Sequence, residues 1–540
     1  MWGSNAREAH PIFFHHVLKG IRNGARMYAV DPRRSSTAQW ADAWLGIHVG
    51  SDISLANAIG NEIITAGLVN EEFIRRATVN FEAYARKVSE YPLERAERDT
   101  GVPAHLIREL AHEYAKADRA QICWTLGITE HHNAADNVLA LINLSLLTGH
   151  VGRYGSGLVP LRGQNDVQGG GDMGAIPNKL TGFQDIETNE DARRRFGEMY
   201  GVTIQPKKGM HLSQMFEAME EGELTAAYIV GENPMRSEAD TYRTRKLLEG
   251  LECLVVQDIF LTDTAKAAHV VLPGTASWCE SEGTVTNSER RVQRVRKAID
   301  PPPGAHDDVE IITSLAARLG TDWGNPTPED LWNELRTLSP MHRGMSYEKL
   351  ERLGGVQWPC PDDESEGTLF LHARLWETDP VKRGNPAPFH AVEQEDPVDQ
   401  LTAEYPIRLT TGRRLDSYNT GAQTGHYSTP MRRPETLNLS PEDAAELGFA
   451  EGELARVSSR RGSVTAPVHV DQILRKGLAF MTLHFPEQVE TNILTIDAWD
   501  LKSGTAEFKA TAIRVEKAAD AEADAAAAAA ETASTTEVAT

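Results

Sequence analysis

The 540-residue sequence contains only four cysteines, and no two of them form a CxxC pair. Their spacing excludes a metal site built from cysteine pairs, and we predict no metal ligands among them. Sparse, scattered cysteines are typical of a reducing compartment, so the sequence predicts a cytoplasmic protein. We interpret all four as buried thiols that act as small apolar side chains: Cys123, Cys253, Cys279 and Cys360.

Long apolar runs and an excess of basic residues are also missing. No run approaches the roughly 18 apolar residues of a membrane span, and no signal-like segment follows Met1. Acidic residues outnumber basic residues by 78 to 55, giving a net charge of −23. Non-specific binding of nucleic acid needs a basic surface, so the net charge argues against a nucleic-acid partner, and the missing apolar run predicts no membrane span. The segment after Lys517 has five acids and no base, and we predict that it is disordered.

The clearest secondary-structure signal is a strand–turn–helix–strand pattern in the middle of the chain. It consists of an apolar strand (226–230), a turn (231–234), a helix (about 240–251) and a second apolar strand (254–257) that is followed by Asp258. The apolar residues that follow continue the alternation. This pattern predicts a parallel sheet.

The first residues of the chain repeat this pattern with a turn at residues 3–6, an amphipathic helix, and a strand ending at Asp31. Such units bind nucleotides: backbone N–H groups at the turn meet phosphate, and the acid after the second strand accepts from a ribose or base. Neither turn carries the full glycine fingerprint, so ordinary α/β turns remain an alternative for each. From about Glu404 the pattern changes to short strands, which predict a small β-barrel.

One segment has neither helical nor strand periodicity. "LVPLRGQNDVQGGGDMGAIP", residues 158–177, holds one arginine, three side-chain amides and five glycines. We predict a glycine-softened loop that presents a guanidinium and several amides.

Four motifs, in this order, carry a family resemblance: "LRGQNDVQGGGDMGAIPN", "GENPMRSEADTYRTR", "LVVQDIFLTDTAKAAHVVLPG" and "EGTVTNSERRVQRVRKAI". They resemble the catalytic (alpha) subunit of molybdenum-dependent formate dehydrogenases, within the bis-molybdopterin guanine dinucleotide oxidoreductases. The resemblance runs from Met1 to about Lys517 and ends with "LTTGRR" and "AEFKATAIRVE". It implies oxidation of formate to CO2 and transfer of electrons to a partner subunit, a diaphorase or a ferredoxin-like protein, often with reduction of NAD.

The resemblance also implies the architecture, an α/β fold with Rossmann-like parallel-sheet lobes and a C-terminal double-psi-type β-barrel. We expect a first α/β lobe that lacks its first strand (1–164) and a second α/β lobe that binds nucleotide (165–276). A bridging segment on the iron–sulfur side (277–403), the dinucleotide-binding barrel (404–517) and a disordered, Ala-rich acidic tail (518–540) would follow.

The family's cofactor has two guanosine diphosphate tails, which would account for two nucleotide-binding units. Motif by motif, the resemblance assigns one tail to Gly3, Asn5, Asp31, Arg33 and Asp52. It assigns the other to Asn233, Ser237, Gln257, Asp258 and Asp308. Three residues of the barrel would close over the pterins: Arg413, Asn492 and Lys509. Glu130, outside the barrel, would lie near the cofactor.

The same resemblance places Arg162 of the "RGQN" motif beside the molybdenum, with Gln164 helping to fix the site. Formate is a small planar monoanion, and a guanidinium fork suits its carboxylate. The two histidines that follow Glu130, His131 and His132, could suggest a metal site. Adjacent residues do not converge on one helix face, so Glu130 is the better candidate there.

The family pattern includes a cysteine cluster for one [4Fe–4S] centre and a cysteine or selenocysteine ligand to molybdenum, followed by histidine. Both precede the point that matches Met1, and no cysteine of this sequence is followed by histidine. We therefore expect the 540-residue chain alone to oxidise little formate. Two alternatives remain open: a related reductase, such as an assimilatory nitrate reductase, and a catalytically dead cofactor-binding scaffold.

Overall fold

The structure is a computed structural model that describes residues 1–277, 279–422 and 435–518. Within it, the chain forms two compact units. The first consists of residues 1–159, 236–244 and 372 onward, and the second of residues 160–235 and 245–371. The predicted disordered tail falls on residues 519–540, which lie outside the described residues.

Helices dominate the α/β part of the first unit, whose helices and 3₁₀ turns are Ala6–Ala9, Pro11–Arg22, Ala38–Trp40, Asp52–Thr65, Glu71–Ala77, Phe81–Val88, Leu93–Thr100, Ala104–Lys116, Leu126–Thr129, Ala134–Thr148, Ala373–Trp376 and Pro380–Arg383. Its short strands are Tyr28–Val30, Ala43–Leu45, Thr78–Val79, Gln121–Trp124 and Ala387–Pro388. Three elements contain a boundary between the units: Gly157–Pro160, Pro234–Ser237 and Thr241–Glu249.

The helix Asp52–Thr65 forms the centre of this part of the core. It is apolar on nearly all sides, and Ile53, Ile59 and Ile63 are fully buried. A helix of that composition is stable only when neighbours cover it on several faces. The helices Ala104–Lys116 and Ala134–Thr148 provide this cover.

The C-terminal part of the first unit is a closed six-stranded barrel, which confirms the predicted barrel. Its strands are Ile407–Thr411, Leu437–Leu439, Leu454–Ser458, Ser463–Val470, Leu478–Met481 and Thr511–Lys517. Parallel and antiparallel pairs alternate irregularly; for example, Ile407–Thr411 pairs in parallel with Leu478–Met481 and antiparallel with Thr511–Lys517. Closure removes the exposed sheet edges that would otherwise invite pairing with other chains.

The second unit contains the predicted parallel sheet. Strand Cys253–Asp258 lies between Ala226–Val230 and Val270–Pro273, and both pairings are parallel. The predicted strand ends agree with the structure to within one residue, whereas the helix is shorter and runs from Thr241 to Glu249. The mixed α/β fold with parallel sheets and a barrel is therefore confirmed.

The remaining strands of the second unit are Lys179–Leu180, Gln184–Asp185, Gly283–Thr286, Arg291–Val295 and Val356–Gln357. Its remaining helices are Val167–Asp172, Glu190–Tyr200, Leu212–Glu220, Asp263–Ala267, Asp308–Arg318, Pro328–Leu338 and Tyr347–Leu353. The three strands Gly283–Thr286, Arg291–Val295 and Val356–Gln357 form an antiparallel sheet.

The interpretation of all four cysteines as buried thiols is wrong for two of them. Cys123 and Cys360 are buried, but Cys279 is half-buried and Cys253 is exposed. Cys253 is the first residue of its strand, on the sheet face opposite the buried Leu254, so alternation points it towards solvent. Among the described helices, none combines the length and apolar character needed to cross a membrane.

Candidate functional site

The chain's first turn rests directly on a second turn 124 residues later. Gly3 has a φ of +55°, and its carbonyl accepts hydrogen bonds from the Gly127 N–H at 3.2 Å and the Thr125 hydroxyl at 2.8 Å. A Cβ on Gly127 would lie 2.6 Å from the Gly3 Cα, closer than real Cβ contacts. Only glycine allows this approach of the two backbones.

We therefore expect Gly127→Ala to destabilise the first unit by about 1–3 kcal/mol, because the new methyl group collides with backbone that cannot move aside. Gly20→Ala is the matched control. A Cβ at Gly20, inside the helix Pro11–Arg22, meets nothing closer than 3.8 Å, so alanine there should stabilise by about 0.5–1 kcal/mol. Denaturant unfolding of the two variants compares the effects, and equal stabilities would contradict the close approach.

Asn5 and Asp31 each organise a turn around their side chains. The Asn5 Oδ1 accepts from the Thr37 N–H at 3.2 Å and the Thr37 hydroxyl at 3.0 Å. The Asp31 Oδ1 accepts from the Arg33 N–H at 2.9 Å, and the Arg33 guanidinium lies over the Phe480 ring at 3.6 Å. Burial raises the pKa of Asp31 against the opposing effect of Arg33.

Asp52 is buried beneath the first turn and receives the indole N–H of Trp2 at 2.7 Å. Burial raises the pKa of Asp52, although the nearby His131 lowers it. His131 is itself buried, and its Nδ1 lies 3.4 Å from the Glu507 Oε2. Sequence reasoning did not single out Glu507, although it lies in the "AEFKATAIRVE" motif.

His131 and His132 both approach one carboxylate oxygen, that of Glu507. His132 places its Nδ1 3.7 Å from the same Glu507 Oε2, and its backbone N–H donates to that oxygen at 3.0 Å. The helix Leu126–Thr129 ends just before Glu130, so the helical rule for adjacent residues does not apply. We call His131, His132 and Glu507 the histidine cluster. Among the described residues, no group of three or more His, Cys, Asp or Glu is placed to hold a metal.

Glu130 and Lys509 form an ion pair beside the histidine cluster, with the Lys509 Nζ 2.6 Å from the Glu130 Oε2. The Lys509 Nζ also donates to the Thr411 carbonyl at 3.2 Å. The Phe508 N–H donates to the Glu130 carbonyl at 3.3 Å. The loop at Glu130 and the segment just before the final barrel strand are thus connected by backbone and side-chain bonds.

The other predicted residues of the first unit form a separate group. The Asn492 Nδ2 donates to the carbonyls of Arg236 and Ser237, at 3.0 and 3.1 Å, and Asn492 is buried. The Ser237 hydroxyl donates to Glu238 at 3.3 Å. Arg413 bonds to Asn419 and lies 4.8 Å from the Tyr418 ring centre. Asn492 therefore holds the backbone at Arg236 and Ser237 in place.

In the second unit, two predicted residues, Gln257 and Asp308, bond directly to each other. The Gln257 Nε2 donates to the Asp308 Oδ1 at 2.6 Å. Asp258, the next residue, accepts from the Phe260 N–H at 3.0 Å, and burial raises its pKa. Burial and the Asp258 charge also raise the pKa of Glu232, a residue that the sequence analysis did not name.

Asn233, another residue predicted for the second tail, lies on the turn after the first strand of the sheet. Its Oδ1 accepts from the Thr264 N–H at 3.2 Å and the Thr264 hydroxyl at 2.8 Å. The structure therefore gathers Asn233 on one turn, and Gln257, Asp258 and Asp308 at the carboxyl end of the parallel sheet. That edge is where α/β folds bind ligands.

Two buried hydroxyls test whether these regions suit a polar ligand. The Ser4 Oγ in the first unit and the Thr275 Oγ1 in the second have no hydrogen-bond partner within the described residues. Ser4 follows the glycine of the first turn, and Thr275 follows Gly274, whose N–H donates to the Asp258 carbonyl. A buried polar group without a partner is costly, so both regions fit a ligand that supplies phosphate or sugar oxygens.

The segment with the arginine is only partly a loop. Residues 162–166, the arginine loop, are irregular, but Val167–Asp172 forms a short helix, here called the glycine helix. The prediction of a continuous loop is wrong there because Asp166, with a φ of +62°, turns the chain so that the Gly170 N–H bonds to its carbonyl at 3.0 Å. Arg162 and Gln164 are both exposed.

The arginine loop is fastened to the turn at residues 286–288. The Asp166 Oδ1 accepts from the Thr286 N–H at 2.7 Å, and the Ser288 hydroxyl donates to the Arg162 carbonyl at 3.3 Å. Burial raises the pKa of Asp166 to about 6, although the Thr286 bond lowers it. A fastened backbone under an exposed guanidinium is suited to binding a small anion in a defined orientation.

Comparisons with known proteins identify the family. A model described as molybdopterin oxidoreductase matches residues 1–318, and one described as molydopterin dinucleotide binding domain matches residues 407–512. The chain belongs to the molybdopterin oxidoreductase family. It is an oxidoreductase with a molybdopterin dinucleotide binding domain, as the sequence motifs predict.

Relatives of this molybdopterin oxidoreductase include the F420-dependent formate dehydrogenase 2 subunit alpha of Methanococcus maripaludis, 40% identical over 96% of this chain and 76% of the relative. The F420-dependent formate dehydrogenase subunit alpha of Methanocaldococcus jannaschii is 39% identical over 95% of this chain and 76% of its own. Formate dehydrogenase H of Escherichia coli is 37% identical over 96% of this chain and 73% of its own length.

Among solved structures, acetylene hydratase from Pelobacter acetylenicus is similar to the chain with a TM-score of 0.71. The match covers 96% of this chain and 77% of that one at 21% identity. At that identity the likeness concerns the fold alone, and it agrees with the α/β units and barrel described above.

Proposed function

We propose that this molybdopterin oxidoreductase is the catalytic subunit of a formate dehydrogenase that oxidises formate to CO2. The observation that carries the proposal is Arg162, an exposed guanidinium on a backbone fastened at residues 162 and 166. It lies in a chain 37–40% identical to proteins named formate dehydrogenase from three organisms.

Arg162 would bind the two oxygens of formate through parallel N–H bonds. Such a bidentate pair fixes the plane of the substrate as well as its position, so the C–H bond points in one direction. A guanidinium stays protonated at any working pH, so the charge that binds formate persists. Gln164, on the same loop, would add a neutral amide that steadies the bound anion.

The molybdenum bis(molybdopterin guanine dinucleotide) group, when bound, supplies the two-electron acceptor that formate oxidation needs. In the first unit, the first-turn backbone, Ser4 and Asp31 would hold one guanosine diphosphate tail. In the second unit, Asn233 and Asp258 would hold parts of the other. Backbone N–H groups suit phosphate oxygens, and carboxylates suit the donors of guanine and ribose.

The remaining predicted residues would act around these contacts. Gln257 and Asp308 fix the sheet edge next to Asp258, and Lys509 offers an ammonium group that Glu130 holds in place. We propose supporting roles for the rest: Gly3, Asn5, Arg33 and Asp52 for the first tail, Ser237 for the second, and Arg413 and Asn492 for the pterins.

Oxidation of formate releases CO2, one proton and two electrons, so a partner that accepts electrons must follow. We propose a second subunit of the diaphorase or ferredoxin-like class for this role. The relatives named "subunit alpha" support such an assembly.

A substrate screen tests the proposal on the native, molybdenum-loaded enzyme. Formate with an oxidised dye should give rapid dye reduction, whereas nitrate with a reduced dye should give none. Rapid nitrate reduction without formate oxidation would make the protein a nitrate reductase of the same family. A molybdenum-loaded protein inactive with both substrates would favour a binding or scaffold role and would contradict the proposal.

A further inference from the structure

The glycine helix, Val167–Asp172, ends on a carboxylate with no exposure to solvent. The Asp172 Oδ1 accepts from the Gln168 Nε2 at 2.9 Å, and the Oδ2 accepts from the indole N–H of Trp358, also at 2.9 Å. The Asp172 carbonyl accepts from the Gly182 N–H at 2.7 Å. A buried carboxylate is tolerated only where donors meet it, and here one donor, Gln168, lies in the same helix and the other, Trp358, lies on a distant segment of the second unit.

A second layer lies behind Asp172. The His342 Nε2 is 3.8 Å from the Asp172 Oδ2, and the His342 Nδ1 is 2.7 Å from the Ser339 Oγ. Ser339 and His342 are both fully buried. Within the described residues the His342 Nε2 has no hydrogen-bond partner, so a small movement would give Asp172 a third donor.

At its other end, the glycine helix supports the proposed substrate-binding arginine. The Arg162 Nη2 donates to the Val167 carbonyl at 3.5 Å, and Val167 is the first residue of the helix. Asp166, which precedes it, is bonded to Thr286. Any rotation or shift of the glycine helix would therefore move both the carbonyl under the guanidinium and the backbone of the arginine loop.

The sequence of the glycine helix makes it dependent on such anchors. Three of its six residues are glycine, and each glycine costs roughly 1 kcal/mol relative to alanine in a helix. Helices this short are not stable in isolation. A Cβ at Gly169 would collide with the Asp166 carboxylate, so a stronger helix former does not fit there. The helix must be held from outside, and Asp172 is the buried point where it is held.

We propose that Asp172 is a positioning residue for Arg162: its bond to Trp358 anchors the glycine helix from outside, its bond to Gln168 closes the helix internally, and together they set the direction in which the guanidinium meets the substrate. The inference rests on the proposed function, because it assigns to Arg162 the binding of formate. Its consequence is a buried contact that controls substrate affinity from the far end of the helix.

The test is Asp172→Asn in the native, molybdenum-loaded enzyme. Asparagine keeps the size of the side chain but presents an amide N–H₂ to a donor, so one of the two bonds is lost. A misplaced guanidinium weakens formate binding, so KM should rise by about 10-fold to 100-fold, with a smaller change in kcat per bound molybdenum. A purely structural loss would lower the active fraction and leave KM unchanged.

Trp358→Phe is the milder second variant, since it removes the indole N–H and keeps the aromatic ring. It should also raise KM for formate, so it provides the test if Asp172→Asn fails to fold. Asp191→Asn is the matched control, because Asp191 is an exposed carboxylate on the helix Glu190–Tyr200 and forms ion pairs with Arg194 and Arg195. It should leave both KM and kcat unchanged.

A double-mutant cycle with Arg162→Lys tests whether Asp172 affects KM through Arg162. If Asp172 acts through Arg162, Asp172→Asn should change KM by less than about twofold once lysine has replaced the arginine. Effects that multiply independently would overturn the positioning role while leaving the proposed function intact. An Arg162→Lys variant with unchanged formate kinetics would instead contradict the proposed function itself.

Discussion

We expect Arg162→Lys to lower kcat/KM for formate by about 30-fold to 1000-fold, which corresponds to about 2–4 kcal/mol of transition-state binding. Lysine keeps the positive charge but is a point donor, so the parallel pair of N–H bonds is lost and the substrate is free to turn. Steady-state kinetics per bound molybdenum measure the effect.

Arg194→Lys is the control for this substitution. Arg194 lies on the exposed surface of the helix Glu190–Tyr200 and pairs with Asp191 and Glu198. Exposed pairs of this kind contribute about 0–1 kcal/mol, so its replacement should leave formate oxidation unchanged. An Arg162→Lys variant that keeps the parental kcat/KM would refute the assignment of Arg162 to the substrate.

The second large effect is expected in the histidine cluster. His131→Gln removes the charge partner of a buried carboxylate, Glu507. Breaking a buried pair by removing one partner costs about 3–5 kcal/mol, because the other charge stays buried without compensation. We therefore expect a drop of several degrees in the melting temperature of the first unit, together with loss of bound molybdenum.

This loss should depend on pH. For His131, burial disfavours the charged ring, but the charge of Glu507, the hydrogen bond to Glu507 and the charge of Asp52 together raise the pKa. The stability that His131 contributes is therefore fully present below its ordinary pKa of 6.5 and disappears as the pH rises through the raised value. For Glu507, burial raises the pKa, but the His131 charge and the hydrogen bonds from His131, His132 and the Lys509 N–H together hold the pKa below the ordinary value of 4.5.

The Glu507 contribution is present above pH 4.5 and is lost only as the pH falls through the lowered value. The difference between parent and His131→Gln should thus be largest between about pH 4.5 and 6.5. His469→Gln is the control, because His469 forms a surface pair with Glu451 at 2.8 Å. Thermal unfolding over this pH range compares them, and a difference that grows steadily from pH 6.5 to 9 would have the wrong sign.

Periodicity in the sequence predicts much of the fold. The strands 226–230 and 254–257 agree closely with the structure because each is a short apolar run bounded by turn residues, which is the usual pattern of a strand. The barrel is predicted for a similar reason. The glycine helix is missed, because three glycines hide its helical period and its geometry depends on Asp166 in the left-handed region.

For the candidate site, the family motifs indicate single residues, whereas the contacts between them come from the fold. Glu130 and Lys509 are named separately from the sequence, yet they form one ion pair across 379 positions. Glu507 and Asp172 escape notice because their partners, His131 and Trp358, are far away in the chain. Local patterns do not encode which distant donor meets a buried carboxylate.

Carbon and electron stoichiometry tests the central claim most directly. Labelled formate is given to the native, molybdenum-loaded enzyme with an oxidised dye, and labelled CO2 and reduced dye are counted together. We expect one CO2 for every two electrons, in proportion to bound molybdenum, and a strong decrease of both in Arg162→Lys. A molybdenum-loaded enzyme that releases no CO2 from formate would contradict it.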